Sequence, residues 1–125
     1  MLAEEVLQQI WSFGDDGSLI GDYAWYASNS GSITHSVSGK KSNSFGLWDM
    51  HGNASEWVWD WYPAGAPYYD VTQTNNPTGP AVGSSRVVRG GNWTNLSRSI
   101  RSASRILAKS DERDNSIGFR LAKTM

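Results

Sequence analysis

The sequence predicts an α+β domain, rich in loops, with short antiparallel strands and few helices. Three observations lead there. Trp57, Trp59 and Trp61 alternate with Val58 and Asp60, which is the period of a strand with one heavily aromatic face. Only the N-terminal segment carries helix spacing. Long stretches of Ser, Gly, Asn, Thr and Pro separate the apolar segments, as turns and loops do. The 125 residues contain no internal repeat and read as one domain, 1–125.

In chain order, residues 2–11 (LAEEVLQQIW) place Leu2, Val6, Leu7, Ile10 and Trp11 at helical spacing. Acids sit in the first turn, where the helix dipole favours them. Phe13 to Ser18 is turn chemistry, and Asp15 with Asp16 reads as a solvated turn or a cation ligand. Asp22 to Ala27 is a strand or an extended aromatic segment. Residues 28–44 form a loop with one histidine, His35, read as solvated. Phe45, Leu47 and Met50 flank a turn at His51-Gly52-Asn53, and the tryptophan strand follows. Residues 63–85 hold all four prolines and read as an ordered loop pinned by Tyr68 and Tyr69. Arg86 to Arg89 is a strand, and Ile117 to Ala122 a closing strand.

The composition excludes several functions. Net charge is −1, so no field favours nucleic acid or a membrane surface. There is no cysteine, hence no disulfide, thiolate metal site or cysteine nucleophile. No apolar run reaches membrane-spanning length, and no signal-peptide pattern is visible; the compartment stays open. Seven tryptophans can supply a large core or an aromatic binding face.

Two stretches carry chemistry. Asp49, Asn53 and Glu56 are closely spaced oxygen donors around a glycine turn, a pattern that suits a hard cation. The same side chains can instead make capping and turn hydrogen bonds. The second stretch, residues 86–121, has core-like ends at Val87-Val88 and Ile117-Phe119. Its interior mixes short polar residues, isolated apolar ones and arginines at 98, 101, 105 and 113, without helical or strand periodicity. It reads as a long surface segment held by a firm frame, and such segments carry function.

Three strings, FGLWDMHGNASEWVWDWY, RVVRGGNW and NSIGFRLAK, in this order and spacing, resemble the formylglycine-generating-enzyme (sulfatase-modifying factor) family. The resemblance covers about residues 11–125 and implies a C-type-lectin-like fold. Oxidase members of that family bind copper through two cysteines after the Gly-Gly-aromatic motif. Asn95 and Ile100 stand at those places here, so the soft copper ligands are missing and the oxidase reaction with them. The resemblance also implies a structural calcium, held by the Asp49 and Glu56 carboxylates and the Gly52 and Ala54 carbonyls. It would brace the fold; no cofactor is expected for catalysis. Ser55 stands where relatives often have an aromatic residue.

From Arg89 onward the chain resembles more specifically the variable proteins of diversity-generating retroelements, in which adenine-directed mutagenesis rewrites chosen codons near the C-terminus. The matching positions are Thr94, Asn95, Leu96, Arg98, Ser99, Ser104, Ile106, Leu107, Ala108, Lys109, Glu112, Asp114, Asn115 and Ser116, within a variable region of about 86–121. Arg89, Gly90, Gly91, Trp93, Arg101, Arg105, Gly118 and Phe119 belong to the frame. Ile100 is expected in the core, and Leu96, Ile106 and Leu107 at least partly exposed. The expected function is ligand binding, not catalysis, with a protein or cell-surface molecule as partner. The alternative is a cysteine-free relative serving as a non-catalytic subunit, or a metal-dependent oxidoreductase that would need both His35 and His51.

Overall fold

The computed structural model describes residues 9–62 and 80–122. Within them, helix is confined to a 3-10 turn at Gly17–Leu19, the short helix α1 at Ile20–Tyr23 and a second 3-10 turn at Ser97–Ser99. Four strands follow in chain order: β1 (Ser55–Trp61), β2 (Ser85–Arg89), β3 (Arg105–Lys109) and β4 (Ile117–Gly118). They form one sheet in the order β3–β2–β1–β4. β1 pairs with β2 and β2 with β3 antiparallel, whereas β4 runs parallel to β1 through Ser55 and Glu56.

The core is small and made of few side chains. Trp11, Ile20, Ala24 and Ile100 form a buried cluster, with Phe13 and Tyr26 packed against it. Phe13 stacks between Trp11 and Tyr23, its ring centroid 5.7 and 4.4 Å from theirs. Val87 and Val88 are both buried, so β2 is covered on both faces of the sheet. Such two-sided cover gives an apolar pair instead of alternation. The tryptophans contribute less than their number suggests: Trp11 is buried, while Trp59 is 83% exposed and Trp48 is also exposed. A bulge in the β1–β2 register between Trp57 and Trp61 breaks the even aromatic face. The Arg86 guanidinium instead covers the Trp59 and Trp61 rings at 4.9 and 3.6 Å, a cation–π arrangement.

Two glycines fix the junction between sheet and core. Gly52 has φ +75°, and a Cβ there would overlap the Trp25 carbonyl oxygen. Its N–H donates to the Gly90 carbonyl at 2.8 Å, and the next N–H, of Asn53, donates to Trp25 at 2.7 Å. Gly91, at φ +67°, is packed directly against Ile100. Side-chain-free, left-handed backbone at these points lets the turn, the strand end and the core touch.

Several expectations are corrected. Most of the helix predicted for 2–11 lies outside the described residues, but residues 9–11 are not helical. The Asp15 carboxylate takes the Ile10 N–H and the Gly14 carbonyl takes the Trp11 N–H, which turns the chain there. Asp16 accepts from Ser18 N–H and caps the first 3-10 turn, so both acids serve the turn. Asp22 to Ala27 is helix end and extended chain, joined to the sheet region by a Trp25–Gly52 bridge. Residues 105–109, expected as loop, are strand β3. The closing strand is limited to Ile117–Gly118, and its parallel direction departs from the antiparallel reading. Of the proline-rich loop, residues 63–79 lie outside the described residues, Tyr68 and Tyr69 among them.

Candidate binding face

The segment after β2 is anchored through its backbone and its asparagines. Trp93 N–H donates to the Asn53 carbonyl at 3.0 Å, and the Ser30 hydroxyl donates to the Trp93 carbonyl at 2.9 Å. The buried Asn92 carboxamide oxygen accepts from Thr94 N–H and hydroxyl, at 2.9 and 2.7 Å. Asn95 accepts from Asn92 N–H through its side chain and from Ala27 N–H through its carbonyl. Asn95 is therefore half-buried and partly structural. Leu96 follows, 52% exposed, then the 3-10 turn carrying the exposed Arg98 and Ser99. Ile100 returns to the core at 0% exposure.

His51 ties this turn to the frame. Its Nδ1–H donates to the Ile100 carbonyl at 2.7 Å, while its Nε2 accepts from Ser12 N–H at 3.0 Å. This network assigns the neutral tautomer. Burial holds the His51 pKa below the usual imidazole value, against a smaller upward pull from the Ile100 carbonyl. With both ring nitrogens engaged, His51 offers no lone pair for a two-histidine metal site. His35, expected as solvated, is half-buried and stacks on Trp25 with ring centroids 3.6 Å apart. Its ring nitrogen lies 2.6 Å from the Ser30 carbonyl.

Past a turn closed by Ser104 N–H and the Arg101 carbonyl, β3 pairs with β2 along its whole length. Ile106 and Leu107 stand opposite Val88 and Val87 and are 52% and 53% exposed. Consecutive strand residues face opposite ways, so both faces of this edge reach solvent. Ala108 is 3% exposed and sits in the sheet opposite Arg86. Its assignment to a contact surface is corrected: pairing and cover leave its methyl no access. Lys109 and Glu112 are exposed and close a turn, through Lys109 N–H to the Glu112 carboxylate at 3.1 Å. Asp114 and Asn115 are exposed; the Asp114 carboxylate accepts from the Ser116 hydroxyl and from the Ser116 N–H, the latter at 2.7 Å, and these bonds, the hydroxyl's first, keep its pKa low. Half-buried Ser116 accepts from Ser55 N–H beside β4.

The fourteen positions thus do not form one compact patch. β3 and β4 lie at opposite edges of the sheet, three strand spacings or about 14 Å apart. Thr94 to Ser99 and β3 adjoin through the turn at Arg101–Ser104, whereas Asp114 to Ser116 belong to the far edge.

Two of the four expected calcium ligands, the Asp49 and Glu56 carboxylates, take part in hydrogen bonds of the frame. Asp49 and Glu56 line a cleft of about 480 Å³ together with Ala54, Phe119 and Arg120. Arg120 Nε bonds the Glu56 carboxylate at 2.6 Å, and its Nη2 donates to the Trp48 and Asp49 carbonyls at 2.8 and 3.1 Å. Asp49 Oδ2 accepts from Ser38 N–H at 2.8 Å, leaving Oδ1 buried without a hydrogen-bond partner. Calcium needs roughly six to eight oxygens and no cation among them. Of the expected ligands Arg120 holds only the Glu56 carboxylate, so with Arg120 in place that carboxylate is committed to a guanidinium and not to an ion. Among the described residues no group of three or more His, Cys, Asp or Glu could hold a metal. No helix there is long and apolar enough to cross a membrane.

The chain superposes on Treponema denticola variable protein 1 with a TM-score of 0.78 and 36% identity, covering 94% of this chain and 42% of that one. It is 38% identical over 94 residues to serine/threonine-protein kinase pkn1 of Chlamydia pneumoniae, which is 74% of this chain and 15% of the kinase. It is 35% identical over 92 residues to the formylglycine-generating enzyme of Streptomyces coelicolor, 71% of this chain and 29% of the enzyme. The chain thus spans under a third of these two relatives and under half of the variable protein. Residues 8–125 match the sulfatase-modifying factor enzyme 1-like domain. The fold is C-type-lectin-like, and the chain belongs to the sulfatase-modifying factor enzyme 1-like family.

Proposed function

We propose that this domain is a ligand-binding module of the variable-protein type. Its contact surface is the 94–99 turn with the β3 edge, and its target is a protein or cell-surface molecule. One observation carries the reading: Leu96, Ile106 and Leu107 keep about half their surface in water, while the backbone beneath them is held by β2 and by buried Ile100. Exposed apolar groups on a fixed backbone suit a recognition surface, where a few central side chains supply most of the affinity. Leu96 and Arg98 on the turn, with Ile106 and Leu107 on the two faces of the β3 edge, are those side chains here, so the proposed target wraps the edge. Likeness to a variable protein supports the same reading. The missing cysteines remove the thiolate copper site from this chain, so binding rather than oxidation is the proposed role. Sequencing the DNA around the coding region tests it. The expected result is a near-copy of the stretch for residues 86–121, differing mainly at adenines, beside a reverse-transcriptase gene; finding none refutes it.

A second reading, a non-catalytic subunit of a larger assembly, is favoured by exposed Val37, Leu47, Trp48 and Phe119 around the 480 Å³ cleft. It predicts a stoichiometric protein partner on co-purification from the source, lost when Trp48 and Phe119 are changed to Ser.

A further inference from the structure

A second cleft, of about 330 Å³, opens between the turn at His51, the strands β1 and β2, and the turn at Arg101–Ser102. Its wall is apolar, formed by Met50, Trp57 and Val58. Three arginines, Arg89, Arg101 and Arg120, also line it, against one carboxylate residue, Glu56. The size is that of a small-molecule site, which is usually an apolar hollow with a few placed polar groups.

The charges in it are not equivalent. Arg120 is neutralised by Glu56 at 2.6 Å. Arg89 donates to the Ser102 carbonyl, and Asp60 offsets part of its charge. Arg101 gives only its Nε, to the Arg98 carbonyl at 2.7 Å. That bond orients the planar group and leaves its two terminal nitrogens without a hydrogen-bond partner among the described residues. A guanidinium held this way presents a fork that matches a carboxylate. The neighbouring His51 is buried and neutral in the assigned tautomer, and adds no counter-charge.

We infer that this cleft is a binding site for a small organic carboxylate with an apolar body, the carboxylate on Arg101 and Arg89 and the body against Trp57, Met50 and Val58. It is separate from the proposed recognition surface, because its lining residues are frame positions and none is among the fourteen. Its occupant would stay the same while the diversified positions change.

Phenylacetate is a suitable probe, titrated into the whole chain and followed by the Trp57 indole and Arg101 side-chain signals in NMR. Saturable shifts at these two residues are expected. A charge-assisted hydrogen bond exceeds a neutral one by enough that phenylacetamide should bind at least about tenfold more weakly. Arg101→Gln should weaken phenylacetate by a similar factor, and Arg113→Gln, an exposed arginine outside the cleft, should not. No saturation at millimolar concentration, equal binding of the amide, or equal loss in both variants would overturn the assignment. So would inorganic phosphate binding as tightly, since that needs no apolar wall. The acid–amide comparison uses the unaltered chain and stands even if a variant misfolds. Failure here leaves the variable-surface reading untouched.

Discussion

Replacing Ile100 and Leu107 by alanine, one at a time, separates frame from display surface. The two side chains have similar volume and lie seven residues apart, but Ile100 is 0% exposed and Leu107 is 53% exposed. Truncating Ile100 removes three carbons from the cluster with Trp11, Ile20 and Ala24 and leaves a cavity beside Gly91. Such changes lose about 2–5 kcal/mol. Leu107 keeps only about half of its surface from water. Full burial of a leucine stabilises by about 1.5–3 kcal/mol, so its truncation should lose about 1 kcal/mol or less. With roughly 4 °C per kcal/mol for a domain near this size, Ile100→Ala should melt about 8 °C lower or worse, and Leu107→Ala no more than about 4 °C lower. Urea unfolding followed by tryptophan fluorescence gives the free energies, and calorimetry gives the midpoints. Equal losses in the two variants would refute the reasoning. The half-exposed strand residues would then be holding the fold together, and no surface could be rewritten there freely.

Other outcomes follow from the same geometry. Gly91→Ala combines left-handed backbone, a penalty of about 1–2 kcal/mol, with overpacking against Ile100 of about 1–3 kcal/mol; thermal unfolding should therefore show a loss comparable to that of Ile100→Ala. His51 has a folded-state pKa below its unfolded value, so the unfolded chain takes up the proton first as pH falls. Its stabilising contribution is complete above the unfolded pKa near 6.5 and is lost as pH drops through the folded value, which urea midpoints between pH 8 and pH 5 will register as a fall that His51→Gln lessens. Millimolar calcium or a chelator should leave the melting temperature unchanged, because Arg120 holds the Glu56 carboxylate; Arg120→Gln is the variant in which a calcium response is expected, and a large response in the unaltered chain would contradict the assignment. Changing Leu96, Arg98, Ile106 and Leu107 together to Ser should preserve the fold, at about 0.5 kcal/mol or somewhat more per site, since each is exposed.

Parts of this arrangement were visible in the residues themselves. Val87-Val88 before a double glycine marked a covered strand ending in a tight junction, and Ile100 stood out as the core residue of a polar stretch. The tryptophan period located β1, though not the bulge that turns Trp59 into solvent. β3 was not legible. An edge strand whose apolar residues are exposed and whose alanine is buried has no alternation to read, and its conformation comes from pairing with β2. The parallel direction of β4 was equally hidden, since chain passing from one sheet edge to the other is not constrained by a hairpin. At the candidate site, exposure of Leu96, Ile106 and Leu107 was expected, whereas the burial of Ala108 and the separation of Asp114 to Ser116 from the rest depended on strand order. The guanidinium of Arg120 on Glu56 links residues 64 positions apart and left no local signal.

Among the described residues strand β3 ends the sheet, so under the proposed function its outward main-chain amides and carbonyls could pair with an extended segment of a partner. That ladder is identical for every sequence the segment adopts. Under the proposed function every version of the segment would inherit the same baseline grip from its peptide groups, and selection would act on the side-chain increment. The same property invites copies with greasy edges to stick to one another, a hazard that the cationic ends Arg105 and Lys109 work against.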